Sequence, residues 1–170
     1  MNYNFRKATL IEIPQIWVIL QQAILRRKQD GSQQWQDGYP NPDVLQQDIE
    51  RNSGYVLTDT DNKIIGYAAI LFNDEPAYEN LNGTWLTNED FVVIHRLAIS
   101  EQNLGKGLAK KIFIFTEDIA LKNNIFSIKV DTNFDNIAML KILEKLEYTY
   151  CGEVIFRGGV RKAFEKKLLK

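Results

Sequence analysis

Residues 92–112 read VVIHRLAISEQNLGKGLAKKI, and this stretch decides the fold of the chain. Its first part, Val92–Ile99, is apolar and rich in β-branched residues, which favours a β-strand. Gly105 and Gly107 follow, and glycine lets a backbone turn where a Cβ would block it. From Gly107 to about Lys122 the apolar residues recur at helical spacing. The stretch is therefore predicted to form a strand, a tight turn and a helix.

The turn between that strand and that helix is a candidate anion site. The first N–H groups of a helix have no partner within the helix, and they carry the positive end of its dipole. A glycine turn that leads into a helix can therefore cradle a phosphate or pyrophosphate. The alternative is an ordinary strand-to-helix turn with a left-handed glycine, and the turn by itself does not decide between the two.

Length and composition restrict the class of protein. The chain has 170 residues, 45% of them hydrophobic and 25% charged, which is typical of one soluble globular domain spanning residues 1–170. A formal net charge of −1 gives no general attraction to nucleic acid or to anionic membranes. A lone cysteine, Cys151, excludes an internal disulfide and favours a reducing compartment. With one cysteine and one histidine, the chain is also unlikely to bind structural zinc. The expected location is the cytoplasm, because neither a signal peptide nor a membrane-spanning run is evident.

The rest of the chain mixes strands and helices. Thr9 and Glu12 form a capping-box pattern, and Asn41 before Pro42 is typical of a helix start. Strands are predicted at 3–7, 55–58, 64–72, 92–99, 126–131, 148–156 and 160–168, and helices at 9–27, 42–51, 107–122 and 136–146. This order predicts a mixed α/β domain in which strands 92–99 and 126–131 are parallel and joined by a right-handed crossover.

With these elements in place, the chain resembles the GCN5-related N-acetyltransferase (GNAT) superfamily. The family's acetyl-CoA motif, Gln/Arg-x-x-Gly-x-Gly/Ala, is matched by Gln102, Gly105 and Gly107 between a strand and a helix. Residues 5–9, FRKAT, are similar to the family's opening, and the element order matches over nearly the whole chain. The resemblance implies a GNAT-type fold, with a central mixed, mostly antiparallel sheet that splays at two parallel strands and is flanked by helices.

The resemblance also implies how acetyl-CoA would bind, in a cleft where the two parallel strands splay apart. Backbone N–H groups of the turn would hold the pyrophosphate, and those residues are Leu104, Gly105, Lys106, Gly107, Leu108 and Ala109. Backbone groups of Leu97, Ala98 and Ile99 would pair with the pantetheine arm, and one N–H there would polarise the thioester carbonyl. Asn136 matches a family asparagine that contacts the cofactor.

The chain departs from the family along its last helix. Members commonly carry Asn-x-x-Ala-x-x-Leu-Tyr-x-x-x-Gly-Phe, but here Met139 and Leu143 stand at the alanine and tyrosine positions, and Glu147-Tyr148 replaces Gly-Phe. The family tyrosine, proposed as general acid for the leaving thiolate, is therefore absent. A thiol pKa near ~8.5 lets a thiolate leave unaided, and loss of a general acid typically costs on the order of 10²–10⁴ in rate.

Two residues are candidates for the proton transfers. His95 could accept the proton of the attacking amine, since imidazole titrates near neutral pH. Unbroken strand alternation would place His95 on one face with Val93 and Leu97; the alternative is a buried histidine bonded to a carbonyl. Tyr150 is a candidate proton donor to the thiolate; neighbouring Cys151 is a weaker one, because cysteine is more often a small buried residue.

The acceptor side is predicted from two segments. Arg96 either holds an acidic acceptor or pairs with Asp131 or another carboxylate across the sheet. The loop 33–40, with Trp35 and Tyr39, either contacts a polar acceptor or packs as a lid. Tyr78 and Trp85 are weaker candidates for acceptor contact.

The predicted function is a cytoplasmic, acetyl-CoA-dependent N-acyltransferase that uses no metal. By direct attack, the primary amine of a small molecule or peptide would take the acetyl group. Neither nucleic acid nor membrane is an expected partner, and a homodimer through the hydrophobic final strand is left open. A second hypothesis is a catalytically silent GNAT-fold module that binds acyl-CoA as a sensor or assembly subunit. A nucleotide binder is disfavoured, because no Gly-Lys-Ser/Thr motif follows the glycines.

Overall fold

The computed structural model of the protein describes residues 2–169. Its strands are β1 Asn4–Lys7, β2 Gly54–Thr58, β3 Ile64–Phe72, β4 Asn82–Gly83, β5 Val92–Ile99, β6 Ser127–Thr132, β7 Thr149–Phe156 and β8 Gly159–Lys167. Its α-helices are α1 Ile13–Gln29, α2 Pro42–Glu50, α3 Leu108–Lys122 and α4 Ile137–Lys145. Short 3₁₀ turns occupy Leu10–Glu12, Pro76–Asn80 and Glu101–Asn103.

The strands form a mixed, mostly antiparallel sheet in the order β1-β2-β3-β5-β6-β8-β7-β4. The strands β5 and β6 are parallel neighbours, and in their register Val92 lies opposite Ile128 and Val93 opposite Lys129. Helix α3 connects these two strands, as expected for a parallel crossover. The predicted mixed α/β, GNAT-type fold class is confirmed.

Local sequence signals explain where several elements begin and end. The Thr9 N–H donates to Glu12 Oε2 at 2.8 Å, which completes the reciprocal cap at the start of the first helical segment. Asn41 Oδ1 accepts from the Val44 N–H at 3.1 Å, and Pro42 is the first residue of α2. Between β7 and β8, Arg157 and Gly158 have φ values of 49° and 74°, the left-handed pair of a two-residue hairpin turn.

The segment after β3, predicted to be irregular, contains a strand that periodicity did not indicate. The two residues of β4, Asn82 and Gly83, pair with Glu153 and Gly152 of β7. A Cβ built on Gly83 would lie 2.0 Å from the Cys151 carbonyl oxygen, so glycine is required for this close approach. A strand of two residues is too short to show alternation, which is why the sequence pattern missed it.

The final strand is not a free edge of the sheet. The strand β8 lies between β6 and β7 and pairs with both in antiparallel register. Sequence left open whether the final strand pairs with another subunit or is a covered edge, and the structure shows that both of its edges are covered. A homodimer stays a prediction.

The chain divides into two compact units, which we call the first and the second unit. The first contains the residues up to Ile70 together with His95–Ile112, and the second contains Leu71–Ile94 and the residues from Phe113 onward. The core of the first unit includes Ile16, Leu20, Leu45, Val56 and Tyr67, and that of the second includes Tyr78, Val93, Val154 and Ala163. The expectation of a single domain stays a prediction.

A membrane-spanning helix is not found: no helix within residues 2–169 is long and apolar enough to cross a bilayer.

Candidate functional site

The turn between β5 and α3 is held in place by backbone hydrogen bonds within the first unit. The Ser100 N–H donates to the Ile65 carbonyl at 2.9 Å, and the Asn103 N–H donates to the Ser100 carbonyl at 2.9 Å. Further along, the Lys111 N–H donates to the Gly107 carbonyl at 3.2 Å. The amides immediately before Lys111 therefore lie at the open N-terminal end of α3, where helical N–H groups lack a helical partner.

Both glycines of the turn adopt left-handed backbone conformations. Gly105 has a φ of 73° and Gly107 a φ of 72°, and a Cβ built on either would have no atom within 4 Å. Packing inside the protein therefore does not require glycine here, whereas the backbone angle does. The space above the turn is open to solvent at Leu104, Gly105, Lys106 and Gly107. This arrangement fits the pyrophosphate cradle that the sequence predicts, because an added Cβ would occupy the space a ligand needs.

The predicted pantetheine segment is packed tightly against β3. Ala98 and Ile99 are buried, at 3% and 6% exposure. A Cβ on Gly66 of β3 would lie 2.9 Å from Ile99 Cδ1 and 3.3 Å from the Ala98 carbonyl oxygen. Gly66 thus allows β3 to approach this segment closely, and the contact holds the segment in place.

Arg96 interrupts β5. Its φ is 53°, a left-handed conformation that is costly for a residue with a Cβ. The expectation of unbroken alternation along β5, which grouped His95 with Leu97, is therefore wrong across Arg96. Non-glycine residues keep such a conformation only where the surroundings hold them in it.

An acidic partner from α2 holds Arg96. The Arg96 Nε and Nη2 atoms donate to Asp48 Oδ2 and Oδ1 at 2.8 and 2.6 Å, and Nη1 donates to the Tyr39 hydroxyl. The Tyr67 hydroxyl also donates to Asp48 Oδ2, at 2.8 Å. Asp131, one of the partners expected from sequence, instead accepts from the Tyr78 hydroxyl at 2.8 Å in the second unit. Of the alternatives for Arg96, pairing with a carboxylate is therefore observed, and this carboxylate is Asp48 of α2 rather than one across the sheet.

Burial and charge act in opposite directions on this cluster. Burial alone lowers the pKa of Arg96, but Tyr39 and Asp48 outweigh it, so the pKa rises above its ordinary value. Burial, followed by the nearby Asp48 carboxylate, raises the pKa of Tyr67. The guanidinium therefore stays charged and the phenol stays neutral, so the cluster is a fixed ion pair with added hydrogen bonds.

The structure places the remaining candidate residues in different environments. His95 is buried at 8% exposure, while Tyr150 is 51% exposed and packs edge-on against Phe164. Trp35 packs against the core of the first unit, and Tyr39 belongs to the Arg96 cluster. Asn136 Oδ1 accepts from the Met139 N–H at 3.2 Å, so this side chain caps α4. Their catalytic, acceptor and cofactor roles stay predictions.

The second unit contains a pocket that sequence analysis did not predict. It has a volume of about 340 Å³ and is lined in part by Trp85, Phe91 and Lys129. Trp85 was a weak acceptor candidate, and Lys129 was not a candidate. The sequence feature that could have identified Lys129 is its position in the middle of β6, between the buried residues Ile128 and Val130. Alternation placed Lys129 on the face opposite those two core residues, and the segment 73–91 covers that face.

A buried carboxylate fixes one wall of this pocket. Glu165 is fully buried, and its Oε2 accepts from the Leu86 N–H at 2.6 Å. Its Oε1 accepts from the hydroxyls of Thr87 and Ser127, each at 2.6 Å. These bonds anchor the loop that carries Trp85 to β6 and β8.

Comparison with known proteins agrees with the fold. The family model described as the acetyltransferase (GNAT) family matches residues 20–148. A GNAT-family acetyltransferase from Streptococcus agalactiae 2603 has a crystal structure with a TM-score of 0.88, at 35% identity over 99% of this chain and 96% of that chain. The structure of yncA from Salmonella typhimurium, determined with its cofactor acetyl-CoA, has a TM-score of 0.70, at 16% identity over 100% of this chain and 96% of that one.

A curated relative is similar over part of its length. Streptothricin acetyltransferase from Escherichia coli is 26% identical over 103 residues, which are 61% of this chain and 58% of that protein. The match thus spans little more than half of that relative. The family model covers well over half of this chain, and the chain belongs to the acetyltransferase (GNAT) family.

Proposed function

We propose that the protein is an acetyl-CoA-dependent N-acyltransferase that acetylates the primary amine of a small molecule or peptide. One observation carries this proposal: Gly105 and Gly107 stand in left-handed conformations, with open space above them, at the start of α3. Family membership supports acetyl-CoA as the acyl donor.

The residues of the turn and of β5 would position the donor. Backbone N–H groups from Leu104 to Ala109 would bind the pyrophosphate, and Lys106 would add a positive charge. Backbone groups of Leu97–Ile99, immediately after Arg96, would bind the pantetheine arm and polarise the thioester carbonyl. The ion pair of Arg96 with Asp48 would keep that segment in position.

Acetyl-CoA supplies a thioester whose carbonyl carbon the amine nitrogen attacks, so that a C–N bond forms and the C–S bond breaks. An amine with a pKa near ~10.4 is largely protonated at neutral pH, so it must lose a proton before or during attack. We assign His95 as the group that accepts this proton. We assign Tyr150 as a proton donor to the departing thiolate.

The experiment is an amine panel, with streptothricin included because a relative carries that name. Release of free CoA thiol is followed in the presence of acetyl-CoA and each amine. The proposal expects amine-dependent release, and His95→Gln should lower kcat by about 10²–10⁴. If His95→Gln keeps the wild-type rate, His95 is not the base.

A second candidate function is favoured by one observation. Leu143, at the position of the family tyrosine, is fully buried and offers no hydroxyl. A protein that binds acetyl-CoA but does not transfer its acetyl group would be a sensor or assembly module. This candidate gains if acetyl-CoA binds and no amine in the panel is acetylated.

A further inference from the structure

The pocket of the second unit is built around a buried lysine. Lys129 is 4% exposed, yet it lines the pocket. Its Nζ lies 4.5 Å from the centre of the Trp85 ring and 4.2 Å from that of Phe91. Within residues 2–169, the Lys129 ammonium makes no hydrogen bond and no ion pair, although its backbone is paired within the sheet.

This environment is costly for an ammonium group. Burial lowers the pKa of Lys129, and the nearby Glu165 and Cys151 only partly oppose that effect. Contacts with aromatic faces stabilise a cation, but they leave its N–H donors without acceptors. Buried charges are ordinarily paired, so an open pocket beside an unpaired one is suited to a ligand with an acceptor oxygen.

The outer part of the same pocket carries the opposite charge. Asp74, Glu75 and Glu79 line it, and Asp74 and Glu79 are exposed. The exposed carboxylates attract a cation, while the buried ammonium attracts an anion. The lining of the pocket therefore combines both signs of charge with aromatic rings.

We propose that this pocket binds the acceptor, and that the acceptor is a small zwitterion, an amine that also carries a carboxylate. The carboxylate would bind the Lys129 ammonium, and the carbon skeleton would lie against Trp85 and Phe91. The acidic residues at the pocket mouth would attract the ammonium group. A volume of about 340 Å³ is at the small end of ligand pockets and suits an amino-acid-sized molecule. This inference rests on the proposed N-acyltransferase function.

The test compares L-leucine, L-phenylalanine, L-glutamine and L-lysine, each beside its own carboxamide. The two members of a pair share the primary amine and differ in the carboxylate charge. The measured quantity is kcat/KM for the acid divided by kcat/KM for the amide. Lys129→Met removes the charge and keeps an unbranched apolar side chain, and it should lower this ratio by about 10- to 100-fold. Comparing one ratio between variants cancels the difference in amine pKa between acid and amide.

Two controls accompany this variant. Lys141→Met makes the same change at an exposed position of α4 and should leave the ratio unchanged. Lys129→Gln serves as a second variant if Lys129→Met does not fold, and it should also lower the ratio. A ratio that Lys129→Met or Lys129→Gln leaves unchanged overturns the inference.

The inference can fail separately from the proposed function. If no amine is acetylated, calorimetric titration of the same acid and amide pairs into the protein measures whether the pocket prefers the acid. Acids that bind wild type more tightly than their amides, with the preference lost in Lys129→Met, support the pocket. Equal or absent binding of acid and amide overturns it, whether or not acetyl-CoA binds.

Discussion

Each unit of the protein buries a cationic side chain, and the two side chains differ in the partners that surround them. In the first unit, Arg96 donates to both oxygens of Asp48 and to a tyrosine hydroxyl. In the second unit, the buried Lys129 has two aromatic rings and an open pocket beside it. A buried charge with a full set of partners fixes structure, whereas one that makes no ion pair beside a pocket is available to a ligand. This difference separates a structural ion pair from a candidate binding site.

Removing the partner of Arg96 should have the largest effect. Asp48→Ala leaves the guanidinium buried and uncompensated, which typically costs about 3–5 kcal/mol of unfolding free energy. For a chain of this size, that is a fall of roughly 6–20 °C in Tm. Urea unfolding followed by circular dichroism measures it, with exposed Asp61→Ala as the control. A loss below about 1 kcal/mol would show that the pair is not a structural requirement.

Two buried tyrosines extend the comparison to neutral donors. The Tyr67 hydroxyl donates to the Asp48 carboxylate, whereas the buried Tyr148 hydroxyl has no hydrogen-bond partner among residues 2–169. Tyr67→Phe should cost about 1.5–3 kcal/mol, the range for hydrogen bonds to charged groups. Tyr148→Phe removes an unsatisfied polar group and should leave stability unchanged or raise it by up to about 1 kcal/mol. Both are measured by urea unfolding, and equal losses in the two variants would contradict the account.

Lys129→Met should change stability much less than Asp48→Ala does. The variant loses two cation–π contacts, but it also removes a buried charge that makes no ion pair within residues 2–169. These effects oppose each other, so we expect a net change within about 1 kcal/mol. A loss of several kcal/mol in urea unfolding would mean that Lys129 is a structural residue like Arg96.

A partly exposed ion pair gives the smallest expected effect. Arg6 Nη2 lies 2.7 Å from Glu12 Oε1, and this hydrogen bond is the main reason that the pKa of Glu12 lies below its ordinary value. A carboxyl whose pKa is lowered by folding stabilises the protein above its ordinary pKa, and this contribution is lost as pH falls through the lowered value. Solvent screening limits it to about 1 kcal/mol or less.

The measurement for this pair is urea unfolding of wild type and Glu12→Gln across the acid range. The stability difference should be present near neutral pH and should vanish once Glu12 is protonated in the folded state. A difference that stays constant with pH would assign the effect to the cap rather than to the charge.

Sequence analysis predicted the parts of the fold that depend on neighbouring residues. The Asn41-Pro42 helix start, the β7–β8 hairpin and the glycine turn are each set by residues within a few positions. The Arg96–Asp48 pair joins residues 48 positions apart, and neither periodicity nor a motif marks it. The same holds for Lys129 and Trp85, which come together because the segment 73–91 covers the polar face of β6. Alternation along β6 separates Lys129 from the core residues Ile128 and Val130, but no sequence pattern indicates what covers its face.

The most direct test of the account is thermal unfolding with and without acetyl-CoA. Acetyl-CoA at 100 times its Kd should stabilise wild type by ~2.7 kcal/mol, or roughly 5–10 °C, and ATP should not. Gly107→Ala and Gly31→Ala replace glycines with φ values of 72° and 76°, and a Cβ built on either glycine would meet no atom within 4 Å beyond its chain neighbours. Both variants should lower Tm by a similar amount, but only Gly107→Ala should lose the response to acetyl-CoA. No shift in wild type, an equal shift with ATP, or a full shift in Gly107→Ala would contradict the cofactor site proposed at this turn.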